Sequence, residues 1–420
     1  MSNFVQIDEQ APPAHSSPQL SAFLAMGFRP LYMAGCGWAL VSIAIWIFAP
    51  FLIGQPLSGV AWHAHEMLWG FIATIAVAFL LTASATWTGF NPLKGKALGL
   101  ICVLWVAARL GYLIGGPIGF RIACLCESAF FLISAIALLR VMHKAKSKRN
   151  YGIPWLVLGL GVANALYLQA ALRGDYALLM QRFNLGLVCM AVIALLIARR
   201  IIPFFAMRAV TGLKLPMLTR SGQAQLVIGL LAILFGVAGF MSSMAAALAV
   251  VGAISLYQIA AWKPLAVRGN PLLWILYVGY AALGLGLIAA AAYIGGIESG
   301  PLARPATHVH IIAMGGFAIL IIGMVTRTAL GHLGRPLALD ASMRTSYALM
   351  IAAVVLRLSA LWPSAASLWL LQAAALCWIA ALALYLWRFT PMLIRPRPNS
   401  PPSIGSHEKQ VKISLKPKTP

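Results

Sequence analysis

The chain has 420 residues, 61% of them apolar and 9% charged, with a mean hydropathy of +0.89. Those values exclude a soluble globular domain and describe a polytopic membrane protein. The net charge of +23 invites a nucleic-acid reading, yet the basic residues are spread over short loops without a basic module or interleaved aromatics, so no nucleic-acid partner is expected.

Residues 1–29 carry Asp8, Glu9 and several Pro and Ser, with no basic stretch before a short apolar core. They read as a cytoplasmic segment rather than a cleavable signal peptide. Twelve apolar runs follow, each of about 20 residues, the length at which a helix crosses ~30 Å of hydrocarbon. They start near Pro30, Glu66, Ala97, Gly119, Ile153, Ala177, Gly222, Ser242, Leu272, His308, Met343 and Ser367. The fold class expected is therefore all-α polytopic membrane protein, with a twelve-helix transmembrane domain over 30–390. Residues 391–420 form a basic tail rich in Pro, Ser and Lys, expected to be disordered and drawn to anionic lipid. If loops alternate sides, every Lys and Arg except Arg109, Arg121, Arg173, Arg182, Arg304 and Arg357 falls on one face. Both termini are then cytoplasmic, and the lipid bilayer is the first partner.

Within this frame the second and tenth spans open on His63-Ala64-His65 and His308-Val309-His310, both on the outer face. On a helix, positions i and i+2 diverge by ~200°, so one pair cannot easily chelate one ion but can serve two centres. At a frayed helix start this restriction loosens, leaving one copper held by two or more imidazoles open. An offset of 245 residues aligns His63 with His308, His65 with His310, Gly70 with Gly315 and Gly89 with Gly334. Four imidazoles on two matched segments point to metal ligation, because neutral imidazole is the common nitrogen ligand of copper and of haem iron. An interfacial His bonded to water is the bland alternative for any one of them.

Glu66 and Glu127 are the acidic residues inside spans, where they would orient a His, carry protons or pair with an Arg. Arg109, Arg121, Arg182 and Arg357 lie at a depth suited to haem propionates, or they snorkel. Asn164 and Gln258 are the clearest midplane polar groups, and His332 reads as a structural helix-end residue. Trp62, Trp69 and Trp87 suit interfacial anchoring, with Trp69 also placed to pack on a porphyrin. All six cysteines fall in spans, so no disulfide framework is expected, and Cys124 and Cys126 diverge on their helix.

Several motifs carry a resemblance: Gly27-Phe28-Arg29-Pro30, Trp62 to Phe71, Leu80-Leu81-Thr82-Ala83 with Trp87-Thr88-Gly89, Arg200-Ile201-Ile202-Pro203-Phe204-Phe205, and Met324-Val325-Thr326-Arg327-Thr328 running on to Leu330-Gly331-His332 and Gly334-Arg335-Pro336. Together they resemble the NnrS family of bacterial inner-membrane proteins across nearly all the apolar length. That resemblance implies haem b and copper as cofactors, nitric oxide or a related small ligand as partner, and a role in nitrosative-stress protection. A more distant similarity to the catalytic subunit of haem-copper oxidases implies an oxidase-like bundle. It would make His65 and His310 the axial ligands of haem b and leave His308, with His63, for a second haem or copper. The sixth and seventh spans contain no histidine, however, so the oxidase's catalytic copper site is not reproduced. Whether the protein is an enzyme stays open, because redox turnover needs an electron donor such as quinol and no quinol site is legible. A twelve-span transporter and a haem or copper maturation factor are the competing function classes.

Overall fold

The computed structural model describes residues 17–398. Twelve helices there are long and apolar enough to cross a membrane. In chain order they are α1 Phe28–Phe48, α2 Gly59–Thr88, α3 Lys96–Ile114, α4 Gly116–Lys144, α5 Gly152–Arg173, α6 Tyr176–Ala209, α7 Thr219–Ala238, α8 Met241–Ala261, α9 Pro271–Ile294, α10 Pro305–His332, α11 Ala341–Ser359 and α12 Ser367–Leu393. Helix is the form an apolar run takes in hydrocarbon, because each backbone N–H and C=O must be bonded within its own segment. Polar caps mark several starts: Asp175 accepts from Leu178 N (2.9 Å), Asn270 from Leu272 N (3.1 Å) and Asp340 from Met343 N (3.0 Å). Most starts lie within a few residues of those read from the sequence. The exception is α2, which begins at Gly59 and so carries His63 and His65 within a helical turn rather than ahead of one.

Neighbours in sequence pack as neighbours in space, and α12 returns against α1, so the helices close into a ring. The second, sixth and tenth helices turn inward and touch one another. Together with α9 they are the most deeply buried of the twelve, and their mean hydropathies of 2.0–2.3 lie at the upper end of the range. Small residues allow close approach elsewhere: a Cβ on Gly252 would lie 2.6 Å from the Gly284 carbonyl oxygen, so α8 and α9 meet backbone to backbone.

The end of the bundle opposite the histidine pairs is tied by side chains. Phe28 N donates to Thr82 Oγ1 (3.0 Å), Arg29 donates to the Leu393 (2.9 Å) and Arg395 (2.6 Å) carbonyls, and the His332 ring lies on Phe28. The Arg327 guanidinium stands 4.0 Å from the Phe205 ring centre. Several motifs noted in the sequence therefore join α1, α2, α6, α10 and α12. His332 takes part in this packing, as expected of a structural residue.

Candidate functional site

Each His-x-His is followed at once by an eight-residue π-helical stretch, Glu66–Ala73 in α2 and Ile311–Ala318 in α10. The offset of 245 maps one stretch onto the other residue for residue. It also maps the left-handed Gly89 (φ 75°) onto Gly334 (φ 67°). The two stretches touch across the centre of the bundle. A π-helix turns less per residue than an α-helix, so it re-aims the side chains before it relative to those after it, a device found mostly at functional positions.

His65 lies at the centre of a buried ionic cluster. Its Nδ1 is 2.8 Å from Glu66 Oε1, and its Nε2 faces Glu127 Oε2 at 3.1 Å and Asn164 Oδ1 at 3.0 Å. Asn164 Nδ2 donates to Glu127 Oε2 (2.7 Å), which fixes the amide with its oxygen toward the ring. Arg109 donates through Nη1 to Glu66 Oε2 (2.7 Å) and through Nη2 to Glu127 Oε1. Tyr112 Oη donates to Glu127 (3.0 Å), and Trp38 Nε1 donates to Glu66. Every nitrogen of the ring faces an oxygen acceptor, so His65 donates on both sides as an imidazolium. Two cations and two carboxylates then sum to zero charge, which is how such groups persist away from water. Gly70 makes room for the cluster, since a Cβ there would come 2.6 Å from Arg109 Nη1 and 2.7 Å from Glu66 Oε2.

The remaining three histidines are differently placed. His310 Nδ1 donates to the Ala306 carbonyl (2.7 Å), which leaves the lone pair on Nε2. His63 stacks on Trp46 with centroids 5.2 Å apart and an 8° tilt, and its buried Nδ1 has no partner. The groups within electrostatic reach of His310 include His63, His308 and Arg357. His308 contacts α6 and α9. Its ring lies against Tyr293 (4.7 Å), and its Nε2 donates to Asn184 Oδ1 (3.2 Å), leaving Nδ1 buried and free. Both pairs thus divide between separate neighbourhoods, as i and i+2 geometry requires.

The oxidase resemblance expects His65 and His310 as a ligand pair, and the structure gives their rings different partners. Both ring nitrogens of His65 are held by Glu66, Glu127 and Asn164. Arg109 is bound to two carboxylates rather than free for a propionate. Arg182 is partly buried near the start of α6, two residues before Asn184. Trp62 and Trp69 are fully buried rather than interfacial. Trp69 donates to the Leu160 carbonyl (3.2 Å) and packs against His65 and Tyr167. All six cysteines are free. Sequence reasoning did not single out Trp38, Trp46, Tyr112 or Tyr293 for the site, because an aromatic in an apolar span carries no signal of its own.

Metal-ligating histidines characteristically have one ring nitrogen tied to an oxygen and the other free. His308 and His310 have that arrangement, so their donor chemistry fits copper or haem iron, whereas His65 does not. Among the described residues no three His, Cys, Asp or Glu side chains gather at metal-binding spacing.

A family model described as NnrS protein matches residues 22–397. The chain belongs to the NnrS family. No curated protein matches the chain. The NnrS match spans all twelve membrane helices, both histidine pairs and the motifs at the opposite end, so family membership extends to both parts of the structure.

Proposed function

We propose that the protein is a haem- and copper-containing inner-membrane protein that binds or turns over nitric oxide in the response to nitrosative stress. Its termini lie in the cytoplasm and its histidine pairs in the outer half of the bilayer, in keeping with the distribution of Lys and Arg. One observation carries the reading: three buried or half-buried imidazoles retain free nitrogens at membrane depth, two of them with tautomers set by Asn184 and Ala306. His63 and His310 are assigned to copper, and His308 to a haem b whose iron supplies an open position for nitric oxide. Asn184 holds His308 through Nε2 so that Nδ1 is the donor, and Ala306 does the converse for His310. Arg357 is the cation within electrostatic reach of His63 and His310, and it and Arg182, two residues before Asn184 in the chain, are assigned to propionates or a bound anion.

The test is an absorption spectrum of detergent-purified protein, oxidised, reduced, and reduced with nitric oxide, beside a haem and copper assay. A Soret band with a nitric-oxide-sensitive fraction is expected. Stoichiometric absence of both cofactors, from cells able to supply them, would overturn the proposal and favour transport or cofactor maturation.

A further inference from the structure

Where the two π-helical stretches end, on the side away from the histidine pairs, the central helices leave a cavity of about 80 Å³. Its α2 wall is made by Ile72, Ile75, Ala76 and Phe79. The offset of 245 carries these four onto Phe317, Leu320, Ile321 and Met324 of α10, and every one of those lines the cavity too. The repeat that matches the histidine pairs therefore also builds this chamber. Ile72 is seven residues beyond His65 and Phe317 seven beyond His310, about 10 Å along a helix. On α6 the lining residues Ala194 and Ile197 share a face and are partly exposed, although α6 is among the most buried helices. Tyr32 is the one lining residue with a side-chain nitrogen or oxygen, and helical backbone groups are bonded within their own segment. A buried water needs two to four polar partners, so the chamber has room for water but not the partners to hold it.

We propose that this chamber is a binding site for a small apolar gas molecule, which on the function proposed above is nitric oxide. The identity of the gas rests on that reading; the occupancy of the chamber does not. Size and polarity together select the occupant. A cavity of about 150 Å³ lined by Leu, Ile and Phe stays dry and takes up benzene or xenon. At about 80 Å³ the present chamber suits xenon or a diatomic molecule rather than an aromatic ring. Ions and strongly hydrated ligands would forfeit their solvation here without compensation, whereas an uncharged diatomic has little to lose. A gas molecule held here waits about two helical turns from both histidine pairs, in a dry space that the same repeat has formed.

The experiment pressurises crystals of the full-length protein with xenon and locates the gas by its anomalous scattering. It compares the native chain with Ala194→Leu, whose larger side chain fills the chamber, and Ile197→Ala, which enlarges it. Overpacking can destabilise a variant, so the two substitutions carry the prediction in opposite directions. A xenon peak between α2, α6 and α10 is expected in the native chain, absent from Ala194→Leu and stronger in Ile197→Ala. A native chamber without xenon, or one filled by an acyl chain or a detergent tail, would overturn the inference while leaving the haem and copper reading intact. Xenon that persists unchanged in Ala194→Leu would place the gas elsewhere and do the same. The identity of the gas is then tested on haem-loaded protein by recombination of nitric oxide after photolysis. The fast phase that returns gas from a nearby chamber should be present in the native chain and lost in Ala194→Leu. Xenon bound in the chamber of a protein that takes up no haem would refute the proposed function and nitric oxide as the occupant, but would leave the gas site standing.

Discussion

His65 and Arg109 meet in one buried ionic cluster. Each carries the donor pattern that a haem site needs, yet each is already bound within the cluster of Glu66, Glu127 and Asn164. Removing one partner from a buried, balanced set of charges leaves an uncompensated charge, which costs about 3–5 kcal/mol. Arg109→Leu is therefore expected to lower thermal stability in detergent by that order, and Glu127→Gln similarly. A melting temperature unchanged by either substitution would mean that the cluster contributes nothing to stability. Gly70→Ala should mimic these losses more weakly, because its new methyl group must displace the guanidinium or the carboxylate.

Each π-helical stretch directly follows a histidine pair and is placed to set the aim of its rings. Removing one residue from Glu66–Ala73, such as Ala73, should let the stretch revert to an α-helix and turn the His63 end by about 100° relative to the rest of α2. The expected result is a protein still inserted but lacking the copper that depends on His63; retained copper would show that the stretch does not aim the ring. At the other end of the bundle, Asp340 caps α11 and pairs with Arg388 of α12. Burial would raise its carboxyl, but hydrogen bonds from Ser342 and Met343 and the Arg388 charge outweigh this and hold it below the usual carboxylate value. The stability it lends is thus fully present above about pH 3.9, the unfolded value, and is lost as pH falls through the lowered one. The pair is partly exposed, so the effect is about 1 kcal/mol or less. The melting-temperature gap between the native chain and Asp340→Asn should close on acidification below roughly pH 4; a gap that widened would contradict the sign.

The bundle was legible because hydrocarbon imposes one length and one secondary structure on every span, so twelve apolar runs became twelve helices. The matched pairs at His63 and His308 were legible for a similar reason, since spacing survives folding. The partner of each ring was not. Rotation of a helix about its axis leaves little trace in a span apolar on every side, and the sequence from Glu66 to Ala73 gives no sign of a π-helix. Asn164 was visible as a lone midplane amide, but its bond to Glu127 joins residues far apart in the chain. What the fold adds is a division: α2 presents His63 to Trp46 of α1 and His65 to the buried charges of α3, α4 and α5.

That division is the central claim, and metal content measured histidine by histidine tests it most directly. His63→Ala, His310→Ala and His65→Asn would be purified beside the native chain and assayed for copper and haem. The first two should lose copper, while His65→Asn should retain it and lose thermal stability instead. Loss of copper in His65→Asn with retention in His63→Ala would contradict the account, returning His65 to the metal and His63 to the surrounding packing.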